Sequence, residues 1–365
     1  ELQKIEVMEL PSSWMEMVGT VVTGSCLLWS ICFLIRRAIL ERFYDKMEGR
    51  VIVITGCDSG FGRDTALQLV SKGCIVLAGC FLESSLSGLK DETGHNAHRL
   101  ETIKLNLEDD ASIDSFVKAV KTYLKINNER LWGFVNNAGL FAAGPSEWMT
   151  RDVMKRIFQV NTIGAMELSN RMAPLLHRTG GRMVSISSVS ALVHGPQLSL
   201  YGASKAALDN FQSAMRVESQ RQFSVHLVLP GGFRTPLLNP DLLRQNIAGH
   251  WSRAPKEVQH EYGTDYYNAF VTNWSEGVVR YANPNPSWVV QNVEHALFAS
   301  HPRDRYYTGY DAIALFSILS FAPTWLQDRV LRRANERFFK IRGRRVTMAL
   351  YDDSFEPLEE KPDAA

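Results

Sequence analysis

The chain has 365 residues, and 40 Lys and Arg against 39 Asp and Glu leave a formal net charge of +1. That balance offers no basic footprint for a nucleic acid, and the length allows one to two domains. The five cysteines (Cys26, Cys32, Cys57, Cys74 and Cys80) form no Cys-x-x-Cys pair and no cluster with His. They read as reduced, apolar filler, with no metal site expected.

The first residue is Glu1 rather than Met, and further residues are expected before it. Residues 1–16 form an acidic flank with Glu6, Glu9 and Glu16. Residues 17–35 follow without a single charge. As a helix they extend about 28 Å, close to the ~30 Å hydrocarbon core of a bilayer. A secretory leader has a shorter apolar region preceded by positive charge; here Arg36, Arg37 and Arg42 come after it. The segment therefore reads as a single transmembrane anchor, and the basic flank places the following domain on the cytosolic side.

Residues 51–54 (Val-Ile-Val-Ile) form a short β-branched run, the pattern of a buried strand. It leads into Thr55-Gly56-Cys57-Asp58-Ser59-Gly60-Phe61-Gly62, and residues 63–71 then carry a helical pattern with Ala66, Leu67 and Val70 apolar. Strand, glycine-rich turn and helix is the context of a dinucleotide-binding loop. Gly56 permits the sharp turn, Gly60 lets the backbone approach a pyrophosphate, and Gly62 lets helix and strand pack closely. The phosphates would sit at the helix N-terminus, where free N–H groups favour an anion. A second strand runs over residues 74–78, with Glu83 beyond it and no Arg or Lys between Gly79 and Gly88. An acid at that place accepts from a ribose 2′-hydroxyl and repels a 2′-phosphate, which points to NAD, with NADP less favoured.

Further on, Tyr201-Gly202-Ala203-Ser204-Lys205 sets a phenol and an ammonium four residues apart, on one face of a helix. A free tyrosine titrates near ~10. A cation held close favours the phenolate and brings the pair within reach of acid–base work near neutrality.

Together these stretches resemble the short-chain dehydrogenase/reductases. Thr55-Gly56-x-x-x-Gly60-x-Gly62, Asn136-Asn137-Ala138-Gly139, Ser188, Tyr201-x-x-x-Lys205 and Pro230-Gly231 stand in the family's order, with Ser188 thirteen residues before Tyr201. Asn161 fits the family's fourth catalytic position. Softer likenesses, among them Val76-Leu77-Ala78-Gly79-Cys80 and Leu131-Trp132-Gly133-Phe134, are similar to a membrane-associated branch. That branch holds retinol dehydrogenases, type 2 hydroxysteroid dehydrogenases and the mitochondrial 3-hydroxybutyrate dehydrogenase.

The resemblance implies an α/β fold over residues 48–310: one Rossmann-type doubly wound parallel sheet with helices on both faces, behind the N-terminal transmembrane helix. It implies that Tyr201 exchanges a proton with the reacting oxygen and that Lys205 lowers the tyrosine pKa and binds ribose hydroxyls. Ser188 would position the substrate oxygen, and Asn161 would hold a water behind the lysine. The cofactor would be lined by Thr55, Gly56, Ser59, Gly60, Phe61, Gly62, Glu83, Asn106, Asn136, Ala138, Gly139, Tyr201, Lys205, Pro230, Gly231 and Thr235. A homodimer is the family's common assembly. The endoplasmic reticulum fits a membrane span, with the mitochondrial membrane as the alternative.

Residues 311–350 begin with an apolar stretch at 312–326 that is too short to span and contains Pro323. Eight basic residues follow it between Arg329 and Arg345. This reads as a membrane-surface segment, as a lid over a substrate cavity or as a core helix. Residues 351–365 are polar and acidic, the composition of a disordered tail.

The first functional expectation is an NAD-dependent dehydrogenase for a lipophilic alcohol, a steroid or a retinoid. The second is a dehydrogenase for a small hydroxy acid, with Arg234 as the carboxylate partner. The third is a non-catalytic lipid-binding protein, against which the intact Asn161, Ser188, Tyr201 and Lys205 set stands.

Overall fold

The computed structural model describes residues 39–338 apart from residue 221, together with scattered positions between 17 and 35. Most of the expected anchor, the end of the 311–350 extension and the 351–365 tail thus lie outside the described residues. Among the described residues, no helix is long and apolar enough to cross a membrane.

Seven strands form one parallel sheet: β1 Val51–Thr55, β2 Ile75–Cys80, β3 Leu100–Lys104, β4 Leu131–Asn136, β5 Arg182–Ile186, β6 Ser224–Pro230 and β7 Arg305–Thr308. Their order is β3-β2-β1-β4-β5-β6-β7. β1 is buried at every residue, as a parallel strand covered on both faces must be. Its side chains alternate between two cores. Ile52 and Ile54 pack with α1 (Gly60–Ser71) and α9 (Ser287–Phe298), where Leu69, Val293 and Leu297 are fully buried. Val51 and Val53 pack on the other face, with α3 (Asp110–Ile126), α5 (Ala165–His177) and α6 (Ser199–Glu218). The remaining helices of the doubly wound layer are α2 (Glu83–Glu92) and α4 (Arg151–Phe158).

The strand order reverses between β1 and β4, and a crevice opens there at the carboxyl ends of the strands. Over it stand two more helices, α7 (Pro240–Arg253) and α8 (Lys256–Tyr281). Pro240 stands at the start of α7, and Asn239 Oδ1 caps it by accepting from Asp241 N at 2.9 Å. α8 is broken at Gly263, whose φ of +75° suits a residue without Cβ. These helices are held by Trp148, fully buried, with ring centroids 4.8 Å from Trp251 and 5.2 Å from Phe270.

The chain on both sides of residues 48–310 packs against this layer. Before β1, Glu41 is buried and ion-paired with Arg303, and Phe43 O accepts from Ser300 N at 2.8 Å. After β7, the chain makes a wide helical turn at Ala312–Phe316 and then α10, Thr324–Phe338. Leu319 and Leu331 bury themselves against Val193.

Candidate active site

The glycine turn joins β1 to α1. Gly56 has φ +71°, and a Cβ there would lie 2.7 Å from Ala138 Cα. A Cβ on Gly62 would meet Gly56 O at 2.3 Å, so α1 starts in contact with the turn. Ser59 makes no side-chain cap to α1, and the first turn of that helix carries no acid. The leading N–H groups therefore have no competing carboxylate, and Gly56, Ser59, Gly60 and Phe61 line the crevice. This cradle fits a dinucleotide pyrophosphate.

Not every residue expected on the cofactor wall reaches it. Thr55 is fully buried, and its Oγ1 accepts from Asn137 N and Ala138 N, both at 3.0 Å, tying β1 to β4. Asn136 points into the helix-covered face, where Nδ2 donates to Ala165 O at 2.9 Å. Its neighbour Asn137 takes the place at the turn, donating to Thr55 O at 2.9 Å and Gly56 O at 3.0 Å. Along a strand successive side chains face opposite ways, so in Asn136-Asn137 only one can face the turn. Asn106, Ala138, Gly139, Pro230, Gly231 and Thr235 do line the crevice.

Glu83 is also off the wall. Its side chain is 76 % exposed and paired with Lys104 at 2.7 Å. The acid that faces the end of β2 is Asp58, from inside the glycine turn. Its carboxylate accepts from Phe81 N at 2.9 Å and Leu82 N at 2.7 Å, and it lines the crevice. The signal was present in the sequence as an acid within Gly-x-x-x-Gly, but the reach from one loop to the next is a tertiary fact.

Ser188, Tyr201 and Lys205 converge on the wall beyond the turn. Ser188 hydrogen-bonds the Tyr201 phenol; burial nonetheless pushes that phenol up to about 12, with the serine working in the other direction. Lys205 is buried; its Nζ donates to Ile186 O at 2.8 Å and lies 6.0 Å from the Tyr201 ring centroid. Burial draws the ammonium down to about 8. Desolvation thus dominates both groups, and the expected depression of the tyrosine by the lysine does not appear.

Asn161 sits in a π-type turn, Gln159–Gly164, between α4 and α5, a local widening common at functional sites. The turn aims its amide at Leu140, which donates to Oδ1 at 2.7 Å and accepts from Nδ2 at 2.9 Å. Nδ2 also donates to Ser204 Oγ at 3.0 Å, on the same helix as Tyr201 and Lys205. A Cβ on Gly139 would lie 3.3 Å from Asn161 Oδ1 and 3.4 Å from Lys205 Nζ. A side chain at Gly139 would crowd both the asparagine and the lysine.

The crevice encloses about 840 Å³. Beyond Tyr201 its wall is largely apolar, with Phe141, Leu198, Trp274, Leu315, Phe316 and Leu331, and carries the polar Asp311 and Asn335. Among the described residues its lining cations are Arg156 and Lys205, and Arg156 is paired with Glu108 at 2.9 Å. Arg234, the expected carboxylate partner, is not on the wall.

A dinucleotide cradle at a topological switch point, with a serine, a tyrosine and a lysine beside it, defines a nicotinamide-type oxidoreductase. The family model for short chain dehydrogenases matches residues 50–245. A 3beta-hydroxysteroid dehydrogenase of Caenorhabditis elegans is 41 % identical over 312 residues, covering 84 % of this chain and 80 % of that protein. Retinol dehydrogenase 7 of Rattus norvegicus is 34 % identical over 311 residues, covering 83 % and 93 %. A solved short chain dehydrogenase from Burkholderia cenocepacia, in complex with NADP, superposes with a TM-score of 0.58 at 22 % identity, covering 79 % and 99 %, and shares the fold. The chain belongs to the short chain dehydrogenase family.

The buried lysine makes a prediction for stability. Its folded pKa of about 8 lies below the ordinary value of 10.5, so between those values the unfolded chain binds the extra proton. Stability contributed at this site therefore rises as pH climbs from 8 towards 10.5 and is lowest below 8. Lys205→Met is expected to raise the melting temperature of the cofactor-free protein at pH 7, by an amount worth about 1–3 kcal/mol, while abolishing turnover. The gain should shrink by pH 9. Melts of both proteins at the two pH values check this; a gain that does not depend on pH would contradict it.

Proposed function

We propose that this enzyme transfers a hydride between NAD and a lipophilic alcohol or ketone of the steroid or retinoid class, from a membrane-anchored position. The supporting observation is the 840 Å³ crevice, largely apolar beyond Tyr201 and, among the described residues, without an uncommitted cation on that part of its wall. A small hydroxy acid would need such a cation to hold its carboxylate. The exposed apolar side chains at Val21, Leu27, Leu28, Ile31 and Ile35 support an anchor in 17–35.

In this reading Tyr201 gives a proton to, or takes it from, the reacting oxygen, and Ser188 holds that oxygen by a hydrogen bond. Asn161 fixes the start of the Tyr201–Lys205 turn through Ser204. Lys205 lines the same crevice beside Tyr201 and would bind the ribose hydroxyls. The oxidised nicotinamide, when bound, supplies the hydride acceptor and a positive charge in the same crevice. On the protein side, Ser188 is the group that draws the phenol back down against burial. Gly56, Ser59, Gly60 and Phe61 would hold the pyrophosphate, and Thr235 and the Pro230-Gly231 turn, which line the same crevice, would face the nicotinamide. The catalytic domain faces the cytosol, consistent with Arg36, Arg37 and Arg42 after the anchor.

A preference for NAD is supported by the Asp58 carboxylate at the end of β2, where an acid would repel a 2′-phosphate. Asp58→Asn is expected to raise the ratio of kcat/KM for NADP over NAD on the order of tenfold, about 1.4 kcal/mol. An unchanged ratio would remove Asp58 from selectivity.

The reading is tested by NADH formation in membranes bearing the full chain, offered 3β- and 17β-hydroxysteroids, retinol and 3-hydroxybutyrate. Turnover of a steroid or of retinol supports it. Turnover of 3-hydroxybutyrate alone overturns it in favour of the hydroxy-acid reading.

A further inference from the structure

Single exposed apolar side chains are ordinary on a protein surface. Residues 310–325 carry a concentration of them: Tyr310 73 % exposed, Ile313 50 %, Leu315 41 %, Ile318 67 %, Phe321 88 % and Trp325 65 %. Their neighbours Ala312 and Leu319 are buried, so this segment is folded and presents one face outward. The outward face is continuous with the crevice, because Tyr310 and Leu315 also line it. The lid and membrane-surface readings of this stretch are therefore two faces of the same segment. A contiguous apolar patch at the mouth of an apolar cavity marks a partner of the same character.

Two observations say what the partner is. Beyond Trp325, α10 carries Arg329, Arg332, Arg333 and Arg337, all exposed. Apolar side chains, an interfacial tryptophan and a following row of cations match the order of acyl chains, interface and anionic headgroups. The second observation is the strap that follows residues 17–35. Glu41 is held by Arg303, His295 Nε2 meets Glu41 O at 3.0 Å, and Asp45 N donates to Phe298 O at 2.7 Å. The strap is thus fixed just before β7, and the apolar face begins just after it. Both flank the same edge strand of the sheet.

We propose that a lipid bilayer lies along the β7 edge, with Ile313, Ile318, Phe321 and Trp325 seated in it. The crevice then opens into lipid, and the substrate enters from the membrane. The entry route rests on the lipophilic substrate class argued above; the seat does not.

The test uses the full chain reconstituted in phosphatidylcholine–phosphatidylserine vesicles whose acyl chains carry bromine, a contact quencher of tryptophan. Wild type and Trp325→Phe are compared in brominated and plain vesicles. The emission that Trp325→Phe removes is expected to belong to the quenched fraction. If it belongs to the unquenched fraction, the seat is overturned. Ile318→Asp with Phe321→Asp, both at exposed positions, tests the route. With retinol or a hydroxysteroid dissolved in the vesicles, kcat/KM is expected to fall at least tenfold, with the same alcohol in detergent micelles turned over at the wild-type rate. Unchanged vesicle kinetics beside a quenched Trp325 overturns the route. If no lipophilic alcohol is turned over in either medium, the substrate reading and the route fall together, and the quenching result alone decides the seat.

Discussion

Tyr201→Phe is expected to lower turnover by about 10²–10⁴-fold, the range for loss of a positioned acid–base group, with the dissociation constant for NAD changed less than about twofold. The ring stays where it is, 4.9 Å from Phe141, so only the proton-bearing oxygen is lost. Ser188 loses its partner on that oxygen but keeps the bond from Ser190 N at 3.1 Å. The loss should appear in kcat rather than in cofactor binding, because the oxygen acts on the reacting bond. Steady-state rates with NAD and one accepted alcohol, alongside NAD titration by fluorescence, check both halves. Turnover retained within tenfold of wild type would remove Tyr201 from the proton transfer.

Gly62→Val is expected to be the most damaging change outside the catalytic residues. Its Cβ would fall 2.3 Å from Gly56 O and 2.4 Å from Asn137 Nδ2. Two things fail at once: the contact of α1 with the turn, and the two bonds from Asn137 Nδ2 to Thr55 O and Gly56 O. Overpacking of this kind typically costs about 1–3 kcal/mol and sometimes more, and the phosphate cradle is displaced with it. The melting temperature should drop, and NAD affinity should fall by at least about a hundredfold, or roughly 2.7 kcal/mol. Gly88→Ala in α2 is the matched control. A Cβ there meets nothing within 4 Å, so it should be neutral or stabilising by roughly 0.5–1 kcal/mol. If both variants bind NAD as wild type does, the close packing at Gly62 is not what holds the cradle.

What the sequence showed of this fold follows from the range of the signals. The β1 run and the glycine turn are local patterns, and the strand, turn and helix appear where they point. The spacing of Tyr201 and Lys205 is helical, and both stand on α6 facing the crevice. The errors lie where two segments meet. Glu83 is next to the right strand end, but its side chain turns outward to Lys104, and Asp58 reaches in from the neighbouring loop. Asn136 and Asn137 are one residue apart, and strand alternation sends them to opposite duties. The π-type turn that aims Asn161 has no local signature, since it depends on Leu140 and Ser204 from two other elements. Desolvation is likewise invisible in a motif: four residues of spacing bring a lysine near a tyrosine, but the depth of the crevice decides how both titrate.

Hydride transfer from a lipophilic carbinol to NAD, with Tyr201 taking the hydroxyl proton, can be followed atom by atom. The most direct measurement uses a hydroxysteroid or retinol deuterated at the carbinol carbon, NAD, and vesicles carrying wild type or Tyr201→Phe, with the nucleotide analysed by mass spectrometry. One deuterium is expected in the reduced nicotinamide for each carbonyl formed, with the variant transferring it at least about a hundredfold more slowly. Carbonyl formed without deuterium in the nucleotide, or equal transfer by the variant, would contradict it.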